Sequence, residues 1–585
     1  MTKKYYTSER NVQIVIALLK ANGIKRVIAS PGTTNMTFVG SIQQDPFFEI
    51  YSSVDERSAA YLACGIAAET GEPVVLSCTG ATASRNYMPG LTEAYYRKLP
   101  VLAITSHRGD HQIGHLIDQQ IDRRQRPADI AVESVVAPMV KDSTDEKFCT
   151  IEANKAILAL KLNGGGPAHI NLHTNYSSDF SVQSLPPARV IKRHTLSNPL
   201  PELQRDQRIA IFIGAHKEFS QEETKAIDDF CFANNAVAFC DHTSNFYGKS
   251  AAHMQIVFGQ NNYTSPLKTV DLLIHIGEVT GDVYRMTPKK VWRVNEDGAL
   301  RDMFGCLTDV FMMTEKSFFE HYTHDSSEIK RVYLDACLNE YEQFISVIPE
   351  LPFGNIWMAQ QMHQKLPQGC VLHMGIYNSL RSWNFFALNA GIKTRCNVGG
   401  FGIDGGVSTM IGASLVRPDR LVFGVFGDLA FFYDMNVIGN RHVGNNVRLM
   451  LINNGRGSEF RLFCHMCEKN FGDDADPYMA AAGHFGNMSP QLVKHYAEDL
   501  GYEYLTASNK EEFKIAMERF VTPEITDRPM LFEVFTDKQD ESDALEIMLS
   551  MKSDSGTIVK RQIRKVANQV LGDKGKEFLK LMLKK

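Results

Sequence analysis

Short runs of β-branched and aliphatic residues recur along the chain, each ending near Gly, Ser, Thr or Asp and each followed by a stretch of helical periodicity. Runs of this length without polar alternation predict parallel strands buried on both faces, with crossover helices between them. In the first third they are Lys25–Gly32, Pro73–Gly80, Pro100–Arg108 and Pro167–Thr174. The polar, proline-marked segment 181–201 breaks the pattern and suits a linker. The pattern restarts at Arg208–Gly214, Val237–Asp241, Asp271–Gly277 and Val291–Asn295. It restarts once more at Cys370–Gly375, Arg420–Asp428, Val447–Asn454 and Arg528–Thr536. The prediction is an α/β protein of three doubly wound parallel-sheet domains, over residues 1–190, 191–345 and 346–545. A basic, amphipathic helical tail is expected over 546–585, where lysines and arginines far outnumber the acids and Phe578, Leu579, Leu581 and Leu583 supply an apolar stripe.

Composition narrows the function. Of 585 residues, 44% are hydrophobic and 22% charged, enough for large cores. Lys and Arg number 62 against 67 Asp and Glu, so no electrostatic footprint for nucleic acid exists. The eleven cysteines are scattered, the N-terminus is polar, and no apolar run reaches membrane-spanning length. These features predict a cytoplasmic protein with no nucleic-acid partner and no integral membrane segment.

The chemistry concentrates at strand ends. Asp428 follows the apolar run Leu421–Phe426, and the next strand ends 25 residues later in Asn453-Asn454-Gly455. Acids at the carboxyl ends of parallel strands face ligands rather than the core. A carboxylate (Asp428), an amide oxygen (Asn454) and a loop carbonyl (Arg456) together form the oxygen donor set that magnesium takes alongside a diphosphate. Two other clusters read differently. His107, His111 and His115 share a spacing of four, but Gly109 and Gly114 weaken any helix that would align them for zinc, so a single histidine acting on substrate is the alternative. Cys464 and Cys467 form a lone CxxC that reads as buried thiols, and the run 164–166 of three glycines reads as a turn. No dinucleotide fingerprint with its downstream acid is present.

Gly427-Asp428-Leu429-Ala430 followed by Asn453-Asn454 resembles the binding motif of the thiamine diphosphate-dependent enzymes. Val54-Asp55-Glu56-Arg57-Ser58-Ala59-Ala60 resembles the segment in which that family carries its proton-relay glutamate, and Gly402-Ile403-Asp404-Gly405 resembles the loop whose aliphatic residue props the bent cofactor. Ser30-Pro31-Gly32-Thr33 and Cys78-Thr79-Gly80 extend the likeness to nearly the whole chain. The resemblance implies thiamine diphosphate and Mg2+ as cofactors. Glu56 would bond the aminopyrimidine ring so that its amino group, as imine, takes the thiazolium proton. Pro31, Gly32, Thr79, Gly402, Ile403, Gly427, Leu429 and Ala430 would line the cofactor. It also implies a homodimer or homotetramer with active sites between subunits.

Within that superfamily the pattern is similar to the menaquinone-pathway carboligases, which join the acyl anion of 2-oxoglutarate to isochorismate. By that resemblance Arg108 and Gln119 are candidate catalytic residues that also bind substrate, with Thr33, Ser379 and Arg381. Basic positions of that branch are replaced here by Thr33-Thr34-Asn35, Asp282-Val283, Val398 and Trp383, which argues for a different carboxylate load on the substrates. Glu459 stands near where related decarboxylases carry a catalytic glutamate, and its other reading is a loop carboxylate paired with Arg456 or Arg461. The leading expectation is decarboxylation of a 2-oxo acid followed by protonation or by ligation to an unidentified acceptor. The alternatives are the 2-oxoglutarate/isochorismate carboligase itself and a catalytically silent structural or regulatory subunit.

Overall fold

The computed structural model describes residues 5–124, 126–204, 206–281, 285–323, 330–484 and 489–552. The expected tail from 553 onward and Asp282-Val283 lie outside the described residues. The strands, numbered in chain order, are β1 Arg26–Ala29, β2 Glu49–Ser52, β3 Val74–Thr79, β4 Val101–His107, β5 Glu133–Ala137, β6 Ala168–His173 and β7 Lys192–His194. Next come β8 Ile209–Ile213, β9 Val237–Cys240, β10 Ala251–Ala252, β11 Thr269–Ile276, β12 Thr287–Asn295 and β13 Leu307–Met312. The last six are β14 Val371–Met374, β15 Lys393–Cys396, β16 Val422–Gly427, β17 Val447–Asn453, β18 Glu503–Ala507 and β19 Met530–Phe535.

The chain divides into two compact units, one of residues 1–200 with 291–313 and one of residues 201–290 with 314–585. In the first, a six-stranded sheet runs β2-β1-β3-β4-β6-β5. In the second, another runs β15-β14-β16-β17-β19-β18, which is the same order of connection. The strand pairs of both sheets are parallel throughout. The middle, seven-stranded sheet contributes β10-β9-β8-β11 to the second unit, and β13, β7 and most of β12 to the first. Three parallel α/β sheets are thus present, as the sequence predicts.

The hydrophobic pattern marks the central strands because they are dry on both faces. Every residue of β4, β8 and β17 is buried. The strands it fails to mark are β2, β5, β7, β10, β13, β15 and β18. Four of these are the outermost strands of the two six-stranded sheets, where mixed burial erases the apolar run. Polar helix caps set the entry points that matter below. Asp55 accepts the Ser58 N–H at 3.0 Å and starts the helix Glu56–Thr70, one of the orphan donors every helix start must satisfy. No helix among the described residues is long and apolar enough to cross a membrane.

One buried acid tunes the second unit. Glu541, 3% exposed, accepts from the Asn355 backbone at 3.1 Å and from Thr536 Oγ1 at 2.9 Å. Burial outweighs these bonds and pushes its carboxyl up to about 7. An acid raised on folding adds stability that is complete below its ordinary range and is lost as pH climbs through about 7. Thermal melts of the wild type should therefore fall between about pH 5 and pH 8, at up to about 1.4 kcal/mol per unit from this group. Glu541→Gln should flatten that slope, and equal slopes for the two proteins would remove Glu541 as its cause.

Candidate active site

The carboxyl edge of the third sheet gathers the candidate oxygen ligands. Gly427 ends β16 in extended backbone and Asp428 opens the helix Asp428–Asp434. Asp428 is 2% exposed; its Oδ1 accepts the Leu429 N–H at 2.8 Å and its Oδ2 accepts the Arg456 N–H at 3.1 Å. The second bond ties the β16 turn to the loop after β17. In that loop Asn453 is committed to structure, donating from Nδ2 to Glu533 at 2.8 Å. Asn454 differs, because its side-chain oxygen is buried and has no hydrogen-bond partner. A buried acceptor without a donor is costly, and a cation would relieve it. Asp428, Asn454 and the Arg456 carbonyl offer oxygen alone, the chemistry a hard divalent ion selects. The residues present therefore fit a magnesium-held diphosphate. Leu429 is half-buried and Ala430 buried behind them.

Two strained residues bracket the neighbouring loop. Tyr377 (φ 66°) precedes the helix Asn378–Asn384, and Phe401 (φ 55°) precedes Gly402-Ile403. Tyr377 OH donates to the Phe401 carbonyl at 3.3 Å. Left-handed backbone at bulky residues persists only where surroundings hold it, typically at functional sites. Ile403 is half-buried and packs against the core around Val407 and Met410, while Gly402 is exposed. Ser379 is 3% exposed at the start of its helix. Asn378 Nδ2 donates to Ser458 Oγ at 2.6 Å, joining this helix to the β17 loop.

Glu459 pairs with neither arginine expected from the sequence. Arg381 donates to both its oxygens, Nη1 to Oε2 and Nη2 to Oε1, each at 2.9 Å. Arg456 is drawn instead to Asp476, and Arg461, 4% exposed, to Glu468, Asp473 and Asp476.

In the first unit the equivalent carboxyl edge carries the other candidates. Pro31, Gly32 and Thr33 are exposed after β1, and Pro31 and Gly32 line an open cavity of about 590 Å3 with Asn35, Met36 and Ile50. A Cβ on Gly32 would sit 2.9 Å from Thr79 Cβ, so only glycine allows this approach of β1 and β3 turns. Thr34 is buried and bonds Thr79 Oγ1 and the Ser106 carbonyl, the latter at 2.6 Å. Glu56 is half-buried and its Oε2 accepts from Asn86 Nδ2 at 3.2 Å. Arg108 follows β4, stacks over Tyr176 and reaches Asp118 at 3.2 Å. Gln119 is exposed with φ 58°.

The three evenly spaced histidines do not share a helix. His107 ends β4, and the backbone after it turns through Gly109 at φ 102°. His107 instead lies beside His173, from β6, and Asp110, a grouping the sequence spacing does not reveal because β4 and β6 pair in space. Burial, with Arg123 nearby, pushes His107 down to about 4. The CxxC thiols are also not both buried, since Cys464 is exposed and Cys467 partly so. His465 between them caps a short helix, accepting the Cys467 N–H at 3.1 Å. The glycines of 164–166 all have positive φ, as a turn requires.

The family model "Thiamine pyrophosphate enzyme, N-terminal TPP binding domain" matches residues 10–125. The 2-succinyl-5-enolpyruvyl-6-hydroxy-3-cyclohexene-1-carboxylate synthase of Bacteroides thetaiotaomicron is 30% identical, over 92% of this chain and 98% of its own length. The protein of the same name from Phocaeicola vulgatus is 28% identical over 92% and 98%. A solved structure, the thiamine diphosphate-dependent 4-hydroxybenzoylformate decarboxylase of Rhodococcus jostii RHA1, covers 90% of this chain and 99% of its own at 16% identity and a TM-score of 0.39.

Removing the Asp428 carboxylate should weaken cofactor and ion together. Calorimetric titration of Asp428→Ala with thiamine diphosphate and Mg2+ should show affinity reduced by about a hundredfold. Asn454→Ala should lose less. Wild-type affinity in Asp428→Ala would locate the diphosphate elsewhere.

Proposed function

The chain belongs to the family of the 2-succinyl-5-enolpyruvyl-6-hydroxy-3-cyclohexene-1-carboxylate synthases, which are thiamine diphosphate enzymes, and from that membership we propose that it is a carboligase, removing carbon dioxide from a 2-oxo acid and joining the remaining acyl unit to an acceptor. The observation that carries this reading is the match over nearly the whole length of both chains to enzymes named for a joining reaction. When bound, the cofactor supplies an electron sink that makes the loss of carbon dioxide accessible.

The protein's own residues have separate tasks in this reading. Asp428, Asn454 and the Arg456 carbonyl hold Mg2+ and, through it, the diphosphate. Gly427, Leu429 and Ala430 shape that pocket, and Ile403 with Gly402 supports the cofactor between its rings. On the pyrimidine side, Pro31, Gly32 and Thr79 form the floor, and Glu56 holds the proton exchanged with the aminopyrimidine. Arg108, Gln119, Thr33 and Ser379 orient substrate, and Glu459 with Arg381 borders it. Residues 1–190, 191–345 and 346–545 then serve as pyrimidine-binding, central and diphosphate-binding domains. Tyr61 and Leu62, about half exposed on the helix that Glu56 opens, support assembly as a homodimer or homotetramer. A silent structural subunit has no use for a relay glutamate or for a complete oxygen cluster.

Two substrate readings divide the observations. The relatives favour 2-oxoglutarate with isochorismate. Buried, bonded Thr34 and the closed Arg381–Glu459 pair favour substrates with fewer carboxylates. Purified protein with thiamine diphosphate and Mg2+ should be given 2-oxoglutarate, pyruvate, branched and aromatic 2-oxo acids, with and without isochorismate or aldehydes, with products followed by mass spectrometry. A joined product is expected from one pair. Carbon dioxide release without any joined product would make the enzyme a simple decarboxylase. Glu56→Gln should keep cofactor affinity and lower turnover by about 100- to 10,000-fold, whereas undiminished turnover would take the relay from Glu56.

A further inference from the structure

Arg381 stands at the carboxyl edge of the third sheet, in the helix Asn378–Asn384 that follows β14, whose neighbour β16 leads into Asp428. Its helix is tied by Asn378 to Ser458 in the β17 loop, the loop whose Arg456 N–H bonds Asp428. Arg381 therefore borders the crevice where ligands of open α/β sheets bind. A guanidinium there is a carboxylate receptor by geometry, since its fork matches two carboxylate oxygens. Here the fork is already filled. Both Glu459 oxygens are held at 2.9 Å, Nη1 also donates to Asn378 Oδ1 at 3.0 Å, and the pair is only about a quarter to a third exposed. Glu459 has no competing cation close in sequence, because Arg456 and Arg461 are spent on Asp476 and its neighbours. A substrate carboxylate reaching Arg381 would have to expel Glu459 and leave it beside a second negative charge.

We propose that Glu459 is a built-in counterion that occupies the carboxylate receptor Arg381 and so restricts the site to 2-oxo acids whose side chain carries no second carboxylate. The inference rests on the carboligase reading for the reaction, and on the ion pair alone for the selectivity. Its test accordingly uses binding of unreactive acids, which does not depend on turnover.

Protein loaded with thiamine diphosphate and Mg2+ is titrated with glutarate and with butyrate. In the wild type, glutarate should bind no more than about threefold tighter than butyrate, whereas a bidentate receptor open to the second carboxylate would favour glutarate by about tenfold or more. In Glu459→Gln, glutarate should gain about tenfold while butyrate stays unchanged, and adding Arg381→Met should erase the gain. Glu459→Ala offers a second release of Arg381 should the glutamine variant not fold. The proposal is overturned if wild-type protein already prefers glutarate tenfold, if no gain appears on releasing Arg381, or if the gain survives the loss of Arg381. A failed carboligase reading shows itself separately, as the absence of any joined product.

Discussion

A carboxylate at 2% exposure must be met by donors, and Asp428 meets them in the backbone of its own helix, at Leu429, and of the loop after β17, at Arg456. The Arg456 bond fixes the end of β16 against the loop after β17, and the rest of the second unit's chemistry is hung on this joint. Asn454 is carried beside it with a buried, unanswered oxygen, Ser458 is placed to receive Asn378, and Glu459 falls within reach of Arg381. The sheet beneath explains why the joint can be rigid. Strands buried on both faces tolerate no shift of register, so their carboxyl ends present loops at fixed spacing.

The same constraint governs what the sequence could tell. Central strands are apolar on both faces and stand out as uninterrupted runs, and all twelve runs picked from the pattern correspond to strands. Outer strands are half wet, and their mixed composition hides them: β2 and β5 flank one sheet, β15 and β18 the other. The two six-stranded sheets share one order of connection, which no hydrophobic pattern announces because connectivity is set by pairing at long range.

Site residues followed a similar rule. Asp428 and Asn454 stand out as candidates because each sits directly at the end of a strong strand, whereas Glu56, half-buried on the helix Glu56–Thr70, stands out only through the resemblance of residues 54–60 to a known segment. Partnerships were less so. Arg456 and Arg461 are the arginines nearest Glu459 in sequence, yet a cluster of acids at Glu468, Asp473 and Asp476 draws them off. Only the fold brings Arg381, 78 residues away in the chain, to Glu459. The histidines show the converse: the glycines between them argue against a shared helix, and a strand pairing that their spacing does not announce joins His107 to His173.

The central claim is that the oxygen cluster at the end of β16 and β17 is where this family member holds its cofactor's metal. Crystals grown with thiamine diphosphate and Mn2+ in place of Mg2+ test it most directly, through the anomalous signal of manganese. One ion is expected, bound by the side chains of Asp428 and Asn454 and the carbonyl of Arg456, with a diphosphate completing its shell. An ion at the His107, Asp110 and His173 grouping with none at Asp428, or a cofactor bound with Asp428 untouched, would contradict it.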